Sequence, residues 1–509
     1  MADASEALTT EPKLCQRQMG HWSKPHTCGR AIHAAPKYDS EPVCLMHSSD
    51  PEKSIEEFVA EFQRILDDAE NGINTANFGG FVFPLSRFLV WDFKTPCTFH
   101  KAKFLQDADF FSATFAQAVD FSLAEFTQKA DFSSATFTKQ SSFASAVFQQ
   151  DADFAVANFM QETNFSAAQF KQKVGFSTAT FSQNADFSRA EFSQDADFTD
   201  AEFSQGARFF AATISGGMQF RETKFFAEGP QGASLALANA KLTCPEKVAF
   251  YKTDLSGAIF FNTDVSHVDF TLVQWHRRGK SGRFGLFDEL VKLDSDTLDL
   301  MSLPESRDER DYGLIAATYQ QLKRNYDAKG DYWTAGHFHY GEMEMLRLHS
   351  RFEWKPLRWM AQHMSLTALY KYGSEYGESV TRPLLWLVAM AVLFALLFPL
   401  AGLEVNASPG EQGLNGRQVN YWNARQFFLD HDSENPVPKW IRRVTRDHAA
   451  LPLLVHSEMT ALSVAGFQKE LRYSPAYPGG RALGLLEVLL TTTLGGLFLL
   501  AIRRQYKRS

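Results

Sequence analysis

Between residues 99 and 225 phenylalanine recurs at alternating steps of five and six, from Phe99, Phe104, Phe110, Phe115, Phe121 and Phe126 onward to Phe209. Ile214 takes one beat, and Phe220 and Phe225 close the series, so the repeat is eleven residues. Alanine keeps the same period at 113, 124, 135, 146, 157, 168, 179, 190, 201 and 212. Glutamine keeps it at 106, 117, 128, 150, 161, 172, 183, 194 and 205, with Lys139 in the remaining slot. Such steps would scatter phenylalanine around a helix, and a plain strand needs a period of two. Fixed-period self-similarity predicts a solenoid, whose units bury their apolar faces only against their neighbours. Phenylalanines two repeats apart should stack one strand spacing apart, about 4.8 Å. Alanine should fit a tight inner corner, and glutamine should form outward amide ladders. From Phe250 through Leu255, Phe260 and Val265 to Phe270 the step is a strict five, which predicts 20-residue coils there.

Ala-Asp-Phe stands at 108–110, 130–132, 152–154, 185–187 and 196–198. The pattern resembles the pentapeptide-repeat family in its eleven-residue variety. The resemblance implies a right-handed quadrilateral β-helix with roughly 22 residues per coil. Some soluble members resemble a DNA rod in size and charge and block topoisomerases, so a DNA-mimic topoisomerase modulator is one alternative function. Residues 99–228 hold 16 Asp and Glu against 10 Lys and Arg, and Asp109, Asp131, Asp153 and Asp197 form one acidic column. The other outward columns are mostly Gln, Ser and Thr. Solvated outer faces of a rigid rod are therefore the expectation, and the chain's net charge of −8 argues against nucleic acid as a partner.

Other periodicities flank the repeat. From Asp50-Pro51 to about Glu70, Ile55, Phe58, Phe62, Ile65 and Leu66 fall on one helical face. That stripe should cover the open first coil, which would otherwise expose strand edges. Residues 276–310 are a charged linker. A helical hairpin follows, with Leu314, Ile315, Thr318, Tyr319, Leu322 and Tyr326 on its first helix, a turn at Lys329-Gly330-Asp331, and Ala335, Phe338, Met343, Met345 and Leu346 on its second. It is expected to act as a connector. His337, His339 and His349 lack metal-ligand spacing and are expected to pack or lie at the surface.

Leu384–Leu403 and Leu483–Ile502 are two nearly unbroken apolar runs of 20 residues, each long enough to cross a bilayer. Arg382 precedes the first, and Arg503, Arg504, Lys507 and Arg508 follow the second. This predicts a multi-pass hairpin in a bacterial inner or cell membrane with both termini in the cytoplasm. The N-terminus, without a positive flank or apolar run, predicts no secretory signal. Between the runs, Leu451–Ser463 reads as a short helix, and Gly480-Arg481 opens the second run. The order resembles the two-transmembrane pore domain of potassium channels, and a pentapeptide-repeat rod with such a tail is similar to a bacterial membrane type. Tyr-Gly-Glu at 376–378 fits that type. The resemblance places a filter-like stretch at Ser463, Val464, Ala465, Gly466, Phe467 and Gln468. There Gln468 replaces the second glycine of the family filter and Lys469 its acid, so potassium selectivity is not expected. Glu487, inside the second run, is a functional candidate because it is ionisable.

Three of the five cysteines precede residue 50. Cys15, Cys28, Cys44 and His47, the last two separated by two residues, are expected to form a structural Cys3His zinc site, with His21 and His26 in reserve. So short a segment has little apolar bulk, and a metal would supply its folding energy. No nucleophile–base pair or glycine-rich phosphate loop stands out, so an enzyme is not expected.

The expected organisation is a zinc knuckle (1–50), a capping helix (51–75), the β-helix (76–275), a charged linker and helical hairpin (276–375), and a two-transmembrane channel-like domain (376–509). The expected function is a membrane-anchored scaffold or sensor whose cytoplasmic rod binds a protein partner. The alternative is a non-potassium-selective ion channel gated by the rod. A homo-oligomer is expected in either case, and a tetramer if the chain is a channel.

Overall fold

The computed structural model describes residues 14–19, 26–33, 38–72, 75–84, 86–88, 90–226, 233–279, 282–290, 311–349, 354–406, 416–430, 436, 450–465 and 473–508. The chain divides into two compact units, Met1–Met345 and Leu346–Ser509.

The first unit is a β-solenoid of mostly two-residue strands in four parallel sheets, of seven, eight, nine and nine strands among the described residues. The register step is two repeats, so that Phe115 pairs with Phe137, Phe137 with Phe159, Phe159 with Phe181 and Phe181 with Phe203. Phenylalanine therefore stacks in columns through the core. Ring centroids lie 4.7 Å apart at 0° for Phe126 and Phe148, and 4.7 Å apart at 2° for Phe181 and Phe203. Neighbouring columns meet edge to face, as Phe132 does with Phe143 at 5.4 Å. Both geometries are favourable for the ring quadrupole. Near the end the step shortens to 20 residues, Ala249 pairing with Asp269 and Asp254 with Gln274, as the five-residue spacing predicts.

The alanine column is fully buried. Each alanine closes a four-residue turn, such as Ala113 N–H to the Phe110 carbonyl at 3.0 Å and Ala135 N–H to the Phe132 carbonyl at 3.1 Å. The residue before it takes a left-handed backbone at every step, including Ser112, Leu123, Ser134, Ser145, Val156, Ala167 and Thr178. The sequence gives no sign of this, because glycine and asparagine do not mark these positions. The β-branched Val156, at φ 60, is out of place in that region. Val156→Asn should raise the unfolding free energy by about 1 kcal/mol, read from the denaturant midpoint.

The outer columns behave differently from the expected amide ladders. The glutamines two repeats apart make no amide-to-amide hydrogen bond among the described residues. Short acidic and hydroxyl side chains serve the outer faces instead, because they reach the turn backbone. In the acidic column the Oδ1 atoms of Asp109, Asp131, Asp153 and Asp197 accept from the N–H two residues on, at 2.9 to 3.1 Å. Those aspartates are turn caps.

Both solenoid ends are covered. The N-terminal helix runs Ile55–Gly72 and buries Phe58, Phe62, Ile65, Leu66 and Ala69. It starts later than Pro51 because Ser54 Oγ accepts the Glu57 N–H at 3.2 Å and serves as the cap. Ile55 lies outside the stripe and is exposed. Phe62 stacks on Phe78 at 4.4 Å, and Phe58 meets Phe83 at 5.3 Å.

At the other end the hairpin helices Tyr312–Ala328 and Tyr332–Leu348 seal the last coil, a more intimate role than connector. Asn325 Nδ2 donates to the carbonyls of Val265 (3.1 Å) and Val268 (2.7 Å), Gln321 accepts from Val265 N–H (2.9 Å), and Trp275 Nε1 donates to the Tyr326 hydroxyl (2.9 Å). These side chains satisfy backbone groups that a solenoid end leaves open. His337 accepts from the Phe284 N–H at 3.0 Å and His339 lies 3.4 Å from Glu342, which accounts for two of the three histidines by packing.

Asp288 is fully buried beside this end and accepts the Phe260 N–H at 3.0 Å. Burial pushes its pKa up to about 7 from 3.8. The folded state thus holds a proton that the unfolded state gives up at lower pH, so this group's contribution is full below 3.8 and is lost as pH rises through 7. Asp288→Asn should remove that fall, at most roughly 4 kcal/mol, from the difference between the two pH–stability curves.

The second unit is helical. After helices Lys355–Met364 and Leu366–Ser374, which the sequence pattern did not reveal, come the long helices Thr381–Ala401 and Pro478–Arg508. Between them lie the short helices Ala424–Asp430 and Ala450–Ala465. A small antiparallel sheet has Leu403–Val405 between Gln418–Val419 and Tyr473–Pro475. Its core gathers Phe394, Phe398, Leu403, Phe427, Leu453 and Tyr473.

Candidate functional site

The N-terminal cysteines converge. A short antiparallel pair, Gln18–Met19 with His26–Thr27, brings Cys15 and Cys28 side by side, fixed by Cys15 N–H to the Arg30 carbonyl (2.8 Å) and Cys28 N–H to the Arg17 carbonyl (2.9 Å). A tight turn, His47 N–H to the Cys44 carbonyl at 3.1 Å, places the other two candidate ligands, Cys44 and His47. The Sγ atoms of Cys15, Cys28 and Cys44 and Nδ1 of His47 all lie within 4.8 Å of one another. Cys28 and Cys44 Sγ are 3.7 Å apart, and His47 Nδ1 lies 3.2 Å from Cys44 and 3.7 Å from Cys15. Thiolates bound tetrahedrally at about 2.3 Å would sit about 3.8 Å apart. The residues present therefore fit a four-coordinate metal, and a disulfide is not formed among them.

The surroundings favour that use. His47 Nε2 lies 3.1 Å from the Gly79 carbonyl, a partner that fixes the ring tautomer and leaves Nδ1 as the ligand atom. A hydrogen bond from Cys44, opposed by burial and helped by His47 and Arg30, pulls Cys28 well below the usual thiol range; the same contact pushes Cys44 up. Arg30 Nη1 lies 3.4 Å from Cys28 Sγ, and Arg30 Nε lies 2.8 Å from Glu61 of the capping helix. Arg64 first, and Arg30 after it, hold the Glu61 carboxyl down at about 2. Lys53 Nζ joins the knuckle to the first coil, donating to the carbonyls of Leu45 (3.2 Å), Ser48 (2.7 Å) and Val82. The knuckle is thus built onto the solenoid end. His21 lies outside the described residues.

In the second unit the long helices are antiparallel neighbours. Arg504 Nη1 donates to the Tyr376 carbonyl at 2.6 Å and to Glu378 at 3.2 Å. That contact joins the end of one helix to the turn before the other. Glu375, Tyr376 and Gly377 all have positive φ in that turn. Helix Ala450–Ala465 packs against both, chiefly against the first, with Ser457 Oγ donating to the Ala395 carbonyl at 2.5 Å. Ser463, Val464 and Ala465 form its last turn, and Val464 lies near Gly484 of the second long helix. Gly466, Phe467, Gln468 and Lys469 lie outside the described residues. Glu487 is fully buried. It faces a 410 Å³ cavity lined by Leu387, Ala391, Ala461, Leu462, Ala465 and Thr492.

Residues 121–169 and 165–213 match the family model for pentapeptide repeats (nine copies). Two solved structures of QnrB1, a plasmid-mediated fluoroquinolone resistance protein, align with the chain. The trypsin-treated form is 17% identical, covering 39% of this chain and 93% of that chain with a TM-score of 0.15. The full-length form is 15% identical, covering 37% and 87% with a TM-score of 0.11. No curated protein matches the chain. The coil register and the family match agree on one identification: residues 121–213 of the β-solenoid are pentapeptide repeats.

Proposed function

We propose that this protein is a membrane-anchored, non-enzymatic scaffold or sensor. A zinc-capped pentapeptide-repeat rod offers its faces to a cytoplasmic protein partner, and the two-span unit holds it at the membrane as a homo-oligomer. The observation that carries the reading is the exposure of the long apolar helices. Only 22% of the apolar stretch of Thr381–Ala401 and 11% of that of Pro478–Tyr506 is buried. Leu385, Val388, Leu400, Leu485, Leu489 and Leu499 all face outward. So much leucine and valine in water would be strongly unfavourable, and a bilayer removes that cost. The basic residues at the end of the second helix, Arg503, Arg504, Lys507 and Arg508, suit the cytoplasmic side. Zinc suits the knuckle because three thiolates and an imidazole make a closed tetrahedral set, which points to a structural role. The test is fractionation of the full chain: it should sediment with membranes after alkaline carbonate washing and leave them only in detergent. Recovery in the carbonate supernatant would refute the anchor.

The packing of the short apolar helix Ala450–Ala465 against both long ones supports a second reading, an oligomeric ion channel that is not potassium-selective. Purified protein in planar bilayers separates the two readings. The scaffold predicts electrical silence in all monovalent salts, and a channel predicts currents that Gly466→Ala alters.

A further inference from the structure

The carboxylate oxygens of Glu487 are both buried and both lack a hydrogen-bond partner among the described residues. Buried carboxyl groups are almost always paired, so an orphan with two open acceptors marks a missing donor. Among the described residues, the helices around Glu487 supply no cation to it. No Lys or Arg occurs in 384–401, 450–465 or 482–502, the stretches of the three helices packed together here. The other ionisable side chains in those stretches are His456 and Glu458, both on the short helix. The His456 ring lies against Tyr473 at 4.2 Å, tilted by 39°. Glu458 is one helical turn from Ala461 and Leu462, which line the cavity, and as an acid it supplies no cation.

The cavity beside Glu487 narrows the class of ligand. Leu387, Ala391, Ala461, Leu462 and Ala465 give it apolar walls, and its 410 Å³ is ordinary for a small-molecule site. A hard metal ion needs about six oxygen ligands. Here Thr491 and Thr492 are the polar companions, and the Thr491 hydroxyl already donates to the Glu487 carbonyl at 2.7 Å. An aliphatic amine satisfies both demands, with its chain against the leucine and alanine walls and its nitrogen on the carboxylate.

We propose that Glu487 and this cavity form a binding site for a small aliphatic amine, held as an ammonium–carboxylate pair. The amine enters neutral; the proton on the Glu487 carboxyl moves to the amine nitrogen, and the lone pair it leaves on oxygen accepts the new N–H. No net charge crosses the apolar walls, and no counter-ion is needed. The inference rests on the two-span reading only for its surroundings, since the site lies within one unit of the fold.

The probe is hexylamine, with hexanol as the uncharged match, added to the full chain in detergent. Dicyclohexylcarbodiimide attacks protonated carboxyls in apolar surroundings, and mass spectrometry locates the adduct. We expect labelling of Glu487 in the free protein, slowed at least tenfold by saturating hexylamine and unchanged by hexanol. Ala465→Leu fills the cavity and leaves the acid in place, so it should keep the labelling and lose the protection. Equal labelling with and without hexylamine would mean a site for a proton alone and overturn the proposal. Equal protection by hexanol would mean an unselective apolar cavity, and no adduct at Glu487 would mean that the acid is not poised as described; either outcome overturns it as well. Failure of membrane fractionation would sink the anchor reading and leave this result standing.

Discussion

Phe143→Ala should lower the unfolding free energy of the solenoid by about 3–5 kcal/mol, read from urea denaturation followed by far-ultraviolet circular dichroism. Phe143 is fully buried at the centre of the stack. Its ring lies 5.1 Å from Phe121 and 4.8 Å from Phe165 in its own column, and meets Phe132 and Phe154 edge-on at 5.4 Å. Alanine removes all four contacts and leaves a cavity that the rigid backbone ladder cannot collapse around. Phe143→Leu keeps most of the volume and should cost less than half as much. Because each coil touches only its neighbours, hydrogen exchange should rise in the coils around residue 143 and stay unchanged near Phe250. A loss below about 1 kcal/mol for the alanine variant would contradict a ring-stacked core.

Cys44→Ser should empty the N-terminal centre, taking bound zinc from one ion per chain to none by mass spectrometry of the purified protein. Cys44 lies closest to His47 and pairs with Cys28, so its loss leaves an incomplete set. Structural zinc contributes on the order of 10 kcal/mol to folding in small knuckles. Without it, residues 14–48 should lose their amide protection. The helix Ile55–Gly72 should keep most of its own, since Phe58 and Phe62 anchor it to the first coil independently. A zinc chelator should reproduce the effect in the unmodified protein. Full zinc content in the variant, or unchanged protection of residues 14–48 after chelation, would remove the metal from the account.

How far the sequence reveals each part depends on the physics that sets it. The solenoid was readable because its core is one-dimensional: every coil repeats one solution, so Phe, Ala and Asp recur in columns. The turn at Val156 was not readable, because its left-handed backbone is imposed by coil geometry and leaves no mark of its own in the residue type. The Gln column misled for a similar reason. An outward position can repeat simply because it is solvated, whereas Asp131 repeats because its Oδ1 binds the backbone. Cys15 and Cys28 were legible as candidate ligands from residue type. The clasp around them was not: Gly79, which fixes the His47 ring, and Glu61, which holds Arg30, lie far along the chain and have ordinary neighbours. The long helices were plain from their unbroken apolar runs. By contrast, Lys355–Met364 carries Leu357, Met360, Ala361 and Met364 on one face, but a stripe of only ten residues is easily passed over beside the long apolar runs. The isolation of Glu487 could be seen only once the helices around it were in place.

The most direct test of the central claim is topology mapping in intact cells with a membrane-impermeant maleimide. Single cysteines would be placed at the exposed positions Glu52, Trp422 and Tyr506. A rod held on the cytoplasmic side by a two-helix hairpin predicts labelling of Trp422→Cys alone in intact cells, and of all three after permeabilisation. Labelling of none of the three before permeabilisation, or of Glu52→Cys or Tyr506→Cys in intact cells, would contradict it.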